Sequence, residues 1–242
     1  MVTLDRKKLG TWIQPQHLED AAIEKYRQSY ASHPARLVVI KDFLEPQVAE
    51  RLSLFLSGEA EFKAEYGLYT KEGAAKEEDW LHAKEEDRFF KYGKLVGTPP
   101  QFQTSPNALT YLQFRMTFQR PELKAFFEAI SDLPLGSSDD FGAHSMTTES
   151  LLRPHSDDNR NRQLALVIYL SPGWKPGYGG QLTVNHFDGE TTVVEAEYNS
   201  MIAFNVLTHK SHVVERVRST NGTAPRRLTI GGWYHRVEGR SA

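Results

Sequence analysis

The stretch "RPHSDDNRNRQLALVIYLSPGWKPGYGGQLTV" (Arg153–Val184) carries a fold signal and a chemical one together. From Leu164 to Leu170 it is wholly apolar apart from a tyrosine hydroxyl, and Pro172-Gly173 and Gly179-Gly180 close that run before a second begins. So short an apolar run between turn residues reads as a buried strand rather than a helix. Just ahead of it, His155 and Asp157 stand in a polar run, separated by one serine. They are either a charged surface turn or two ligands of a metal.

The strand texture extends outward from there. From about Gly142 onward "AHSMTTESLL", "RQLALVIYLS", "GGQLTVNH", "TTVVEA", "SMIAFNV", "HKSHVVERV" and "RRLTIGGWYHR" follow one another. Asp188-Gly189, Tyr198-Asn199 and Asn221-Gly222 supply turns between them. Many short strands at this pitch build a double-sheet jelly roll or barrel, and the gaps are too short for the crossover helices of a parallel sheet. Upstream the chain is mixed. His17–Tyr30 has helical apolar spacing, Ala35–Leu44 is strand-like, and Pro46 opens a helix that Gly58 should end. Lys71–Lys94 is dense in mixed charge and reads as a solvated helix or loop, with a cover over a site as its other reading. Ser105–Pro134 reads as one or two helices broken near Pro121. The expected class is mostly β with flanking helices (α+β). Residues 142–238 form the jelly-roll core and residues 1–141 a helix and strand elaboration packed on it, one structural domain overall.

Composition narrows the chemistry. The 242 residues carry a formal net charge of -2, so nothing draws the whole molecule to nucleic acid or anionic lipid. There is no long apolar run and no apolar stretch near the N-terminus, so neither a membrane span nor a secretory signal is expected, and the cytoplasm is the expected location. Cysteine is absent, which excludes disulfides, thiolate metal sites and cysteine nucleophiles. Any metal here must be held by histidine and carboxylate.

A His-x-Asp tripeptide is a weak signal alone, and its weight depends on a third ligand. Downstream candidates are His186, His209, His212 and His235. His209 and His212 are an odd number of residues apart, so in one strand at most one faces inward, and "SHVVERV" is the more strand-like setting. His186 falls at an expected turn and His235 at the end of the last strand. In that strand Arg227, Thr229, Gly231 and Trp233 share one face and Arg226, Leu228, Ile230 and Gly232 the other. An inward guanidinium beside a hydroxyl and an aromatic ring would make a carboxylate pocket. "DDNRNR" after the pair reads as a solvated loop or, through Asn159, Arg160 or Arg162, as part of a substrate entrance. Trp174 reads as a turn anchor. A zinc hydrolase is disfavoured because "HKSH" is not His-Glu-x-x-His.

"HSD", "LALVIYLSPGW", "GGQLTV", "SHVVERV" and "RRLTIGGWYH", in that order, resemble the prolyl-4-hydroxylase-type iron(II)/2-oxoglutarate dioxygenases, especially the ribosomal prolyl hydroxylases and their bacterial relatives. The resemblance spans about Ser145 to His235. It implies a double-stranded β-helix fold, with His155, Asp157 and His212 as iron ligands. It further implies Arg227 and Tyr169 on the distal carboxylate of 2-oxoglutarate, and Thr229 and Trp233 on the site face of the last strand. Iron(II), 2-oxoglutarate and oxygen are the implied cofactors, with ascorbate as a supporting reductant. The implied reaction is hydroxylation of a prolyl residue in a protein, with a free amino acid or a peptide-like natural product as the alternative substrate. Asp157 argues against a halogenase, which needs a small residue there. "MTTESLLRP" departs from the family in having no tyrosine for the nearer end of the cosubstrate, which leaves Thr147 or Thr148 as substitutes. The reading from another class is a non-catalytic cupin-like barrel that binds a metal or ligand. Oligomeric state is left open.

Overall fold

Leu164, Leu166 and Ile168 face one way from their strand and Ala165 and Tyr169 the other, and both sets are buried, in two separate cores. That is why the run is apolar without alternation: it has no solvent face. This computed structural model describes residues 4–137, 140–159, 161–220 and 225–237. The expected Asn221-Gly222 turn and Arg160 lie outside the described residues.

The strands are β1 (Leu37–Ile40), β2 (Glu61–Leu68), β3 (Arg88–Gly97), β4 (Leu135–Gly136), β5 (Phe141–Met146), β6 (Leu151–His155), β7 (Arg162–Tyr169), β8 (Leu182–Asn185), β9 (Thr191–Val194), β10 (Met201–Asn205), β11 (Ser211–Val214) and β12 (Arg227–Arg236). The helices are α1 (Arg6–Leu9), α2 (Asp20–Ser32), α3 (Pro46–Leu54), α4 (Glu77–His82), α5 (Pro106–Phe118) and α6 (Pro121–Ser131). All strand pairs are antiparallel and form one curled sheet in the order β1-β10-β7-β12-β5-β3-β6-β11-β8-β9. This is the expected jelly roll. Its outer core joins Leu228, Ile230 and Tyr234 of β12 to Phe114 and Phe118 of α5 and Phe126 and Phe127 of α6. Tyr234 stacks on Phe118 at 4.8 Å and donates to its carbonyl (2.9 Å). The inner core, with Tyr169, Phe204 and Val214, lines the inside of the curl.

The N-terminal part enters the same sheet. β1 pairs β10, and β3 bridges β5 and β6. Asn199 fastens the approach to the helices, donating to the Leu44 carbonyl (2.9 Å) and accepting from the Leu44 amide (3.0 Å). The helix break at Pro121 is as expected, and Ser105 caps α5 by accepting from the Ala108 amide (3.0 Å).

Three expectations need correction. Lys71–Lys94 is not one solvated helix or loop: α4 is followed by β3, where Phe90 and Tyr92 alternate with Phe89 and Lys91. The charge of the preceding residues concealed that period of two. "AHSMTTESLL" is two strands, because Thr147–Ser150 closes a turn with Glu149 at φ 68. The helix opened by Pro46 ends at Leu54 and runs on as a wider turn over Phe55–Glu59, so Gly58 lies inside that turn. Among the described residues no helix is long and apolar enough to cross a membrane.

Candidate metal and cosubstrate site

His155 ends β6 and His212 is the second residue of β11, and the register pairs them directly, with ring centroids 4.2 Å apart. Past β6 the chain turns tightly, with the Asn159 amide donating to the Asp157 carbonyl (2.7 Å). The turn brings the carboxylate back between the imidazoles. Oδ1 lies 3.7 Å from His155 Nε2, and Oδ2 lies 3.4 Å from His212 Nε2. The three donor atoms lie within 4.8 Å of one another, and no other such group occurs among the described residues. Two imidazoles and one carboxylate on one side of a cation suit iron(II) with coordination positions left open.

The surroundings hold each group in its ligand form. His155 Nδ1 lies 2.9 Å from the Arg153 carbonyl, which only accepts, so the ring's proton sits there and Nε2 faces the site. Burial pushes the His155 pKa down to about 4, and the neighbouring His212 adds to this. For Asp157 burial opposes ionisation. Hydrogen bonding to the carboxylate, with the Trp233 N–H among its donors, outweighs it and holds the carboxyl below the usual range. Trp233 Nε1 donates to Oδ2 (2.9 Å) and Arg162 Nη1 to Oδ1 (3.3 Å). Arg162 also lies over the Trp233 ring, Cζ 3.5 Å from its centre, and donates twice to Asp140 Oδ2 (2.8 and 2.6 Å).

These groups open onto a cavity of about 450 Å³ inside the curl. Arg227 is buried there with its guanidinium 5.0 Å from the centre of the Tyr169 ring and Nη1 3.5 Å from Met146 Sδ. Among the described residues Arg227 Nε and the Tyr169 hydroxyl find no hydrogen-bond partner. Burial lowers the Arg227 pKa and raises that of Tyr169. A buried cation beside an unpartnered phenol fits a carboxylate, which would satisfy both. Gly180 makes room for the arginine: its φ is +69°, and a Cβ there would stand 2.9 Å from Arg227 Cδ.

All seven residues singled out from the sequence (His155, Asp157, His212, Arg227, Tyr169, Thr229 and Trp233) line this one cavity. The competitors stand elsewhere. Arg226 lies over Phe62 (5.0 Å) and donates to Ser145 Oγ (2.7 Å) and the Ser57 carbonyl (3.1 Å). His186 is buried rather than exposed, bonded to Thr192 (2.9 Å) beside His33. His235 sits at the far end of β12, opposite Gly136. Thr147 and Thr148 occupy the β5–β6 turn, outside the cavity lining. His209 is also buried. The choice of His212 over His209 holds, since only His212 lines the cavity, although His209 precedes β11 and so shares no strand with His212.

Some lining residues were not foreseen. Tyr92, in β3, stacks on Phe90 (4.9 Å) and meets His144 edge-on (5.1 Å), with its pKa pushed up to about 12 by burial. A tyrosine thus reaches the cavity from β3 rather than from the strand before His155. Its one signal was the period of two in "FFKYGK". Of the two readings of "DDNRNR" the site one fits Asn159 and Arg162, which line the cavity, Arg162 belonging to β7 and lying buried against Asp157.

Residues 141–235 match the model of the 2OG-Fe(II) oxygenase superfamily. The chain is 26% identical over 120 residues to the mouse (Mus musculus) prolyl 3-hydroxylase OGFOD1, covering 47% of this chain and 22% of that protein. The Xenopus laevis counterpart is 25% identical over the same length, with 47% and 23% covered. The chain thus spans about a fifth of the length of the curated relatives it matches. Among solved structures, a Pseudomonas putida prolyl-4-hydroxylase superposes with a TM-score of 0.57 at 19% identity, covering 89% of this chain and 99% of that one. A Trichoplax adhaerens prolyl hydroxylase, solved with a fragment of the hypoxia inducible factor oxygen degradation domain, gives 0.56 at 15% identity, with 90% and 93% covered. At these identities the likeness is one of fold.

Proposed function

Because residues 141–235 match the model of the 2OG-Fe(II) oxygenase superfamily, we propose that this chain is an iron(II)- and 2-oxoglutarate-dependent hydroxylase acting on a prolyl residue of a protein. The observation that carries this reading is a single cavity lined both by the His155–Asp157–His212 cluster and by the buried, unpartnered Arg227. His155, Asp157 and His212 would hold the metal. Arg227 and Tyr169 would hold the distal carboxylate of 2-oxoglutarate, with Thr229 and Trp233 on the same strand face. When bound, metal and cosubstrate supply oxygen activation coupled to decarboxylation to succinate and carbon dioxide, and so the means to hydroxylate an unactivated C–H bond.

The chain's own residues need supply no acid or base. Trp233 and Arg162 aim the Asp157 carboxylate, the Arg153 carbonyl sets the His155 tautomer, and the apolar walls from Leu182, Phe204 and Val214 keep water out. The named relatives support a prolyl substrate in a protein. Local charge supports it too. Arg162 is paired with Asp140 and Asp157, Arg153 with Glu85, and Arg236 with Asp158. These cations already have carboxylate partners, which suits a neutral, peptide-bound residue better than a free amino acid. A cytoplasmic location and ascorbate as a supporting reductant are part of the same proposal.

Anaerobic titration with iron(II) and 2-oxoglutarate tests it. A weak visible charge-transfer band should need both components and be absent in Arg227→Ala and His212→Ala. Tight metal binding with no 2-oxoglutarate affinity would overturn it in favour of a non-catalytic cupin-like barrel.

A further inference from the structure

Resting on the reading of His212 as a metal ligand, we propose that His209 is its positioning residue: it accepts the Nδ1 proton of His212 and so turns the Nε2 lone pair toward the site. His155 is oriented by a backbone carbonyl, but among the described residues no carbonyl does this for His212. Instead His212 Nδ1 lies 3.0 Å from His209 Nε2, and His209 Nδ1 lies 3.1 Å from the Asn205 carbonyl. The carbonyl can only accept, so the proton of a neutral His209 ring is on Nδ1 and its Nε2 is an acceptor. The hydrogen between the two rings therefore comes from His212. The chain runs one way, from His212 through His209 to Asn205, and leaves His212 Nε2 unprotonated, facing Asp157. Reversing it would set the lone pairs of His209 Nδ1 and the Asn205 carbonyl against each other, or demand a buried imidazolium with no carboxylate partner.

The relay is mechanically fixed. His209 and His212 are 3% and 4% exposed, and Phe204 packs edge-on against both rings at 5.5 and 5.2 Å. The Asn205 side chain accepts from the Leu207 amide (3.0 Å) and from Gln163 (3.2 Å), which holds the turn carrying the terminal carbonyl. Neutral histidine free of such a partner prefers its proton on Nε2, the atom that must be bare to bind a metal. Outer partners of this kind set tautomer and ring angle, and their loss weakens metal affinity without removing a ligand.

The test compares wild type with His209→Gln, whose amide can accept from His212 and donate to Asn205, and His209→Leu, which fills the space without an acceptor. Long-range nitrogen–proton correlations in metal-free, 15N-histidine-labelled protein report the His212 tautomer, and cobalt(II) absorption reports affinity. Wild type and His209→Gln should show His212 protonated on Nδ1. His209→Leu should populate the Nε2–H form and bind cobalt(II) about 10- to 100-fold more weakly. An unchanged tautomer and affinity in His209→Leu would make His209 mere packing and overturn the proposal. Should that variant not fold, a wild-type His212 protonated on Nε2 would overturn it equally. Wild-type protein that binds no cobalt(II) would instead remove the ligand reading itself, and this inference with it.

Discussion

Replacing Arg227 with methionine should make the ligand-free protein more stable while abolishing its response to 2-oxoglutarate. The arginine is 4% exposed, no carboxylate pairs with it among the described residues, and its Nε is unpartnered. Burying a cation in this way is unfavourable, and removing a buried ion pair in favour of apolar side chains is often stabilising by about 1–4 kcal/mol. Methionine follows the aliphatic stem past Gly180 and leaves the cation out, so a gain of about 2 kcal/mol is expected. For a chain of this size that raises Tm by roughly 4–8 °C. Wild-type protein loaded with manganese(II) and 2-oxoglutarate at a hundred times its Kd should gain about 2.7 kcal/mol, and the variant nothing. Calorimetric scans of both proteins, with and without 2-oxoglutarate at constant manganese(II), give all four values. A variant less stable than wild type without ligand would refute the claim that Arg227 is a strained, function-bearing cation. A variant that kept the 2-oxoglutarate shift would refute its assignment to the carboxylate.

Asp157→Ala should eliminate succinate formation while leaving circular dichroism and Tm close to wild type, since Arg162 keeps Asp140 as its partner; persisting turnover, read by NMR of 2-oxoglutarate and succinate, would show the ligand set to be wrong. Asn199→Ala removes two hydrogen bonds to the Leu44 backbone and places a Cβ residue without a polar side chain at φ 57, so a loss of about 3 kcal/mol is expected, seen as a drop in the urea midpoint. An unchanged midpoint would mean the helical layer is not fastened there. Stability of the metal-free protein should fall as pH drops from about 6.5 toward 4. Burial holds His144, His155 and His209 at about 4, below their unfolded value near 6.5, so the unfolded chain binds more protons across that window. Each proton contributes up to about 1.4 kcal/mol per pH unit, present in full above the unfolded value and lost below it. Urea titrations at several pH values in a chelator check this, and a flat profile between neutrality and pH 5 would contradict the burial of these rings.

The core strands and the inward face of the last strand were readable because both depend on local pattern. Turn residues bounded the apolar runs, and the period of two put Arg227, Thr229 and Trp233 on one side before any contact was known. The same rule chose His212 over His209 correctly but could not place His209, which is divided from His212 by a strand boundary, and boundaries are set by hydrogen bonds to a partner strand. It failed for β3, because its aromatic alternation follows a charged segment and its strand form depends on pairing with β2, β5 and β6.

By itself the sequence determined which chemistry was open to this protein. With no cysteine, any metal had to be met by histidine and carboxylate, and the order of His155, Asp157, His212 and Arg227 along short strands made a jelly-roll site the natural reading. Only the tertiary structure decided which groups support that site. Arg162 on Trp233 and Tyr92 arriving from β3 are meetings between residues far apart in the chain, whose side chains follow no shared local period. Such contacts come from the curl of the sheet, which brings distant strands to one cavity, and a curl is a property of the packed whole rather than of any stretch of chain.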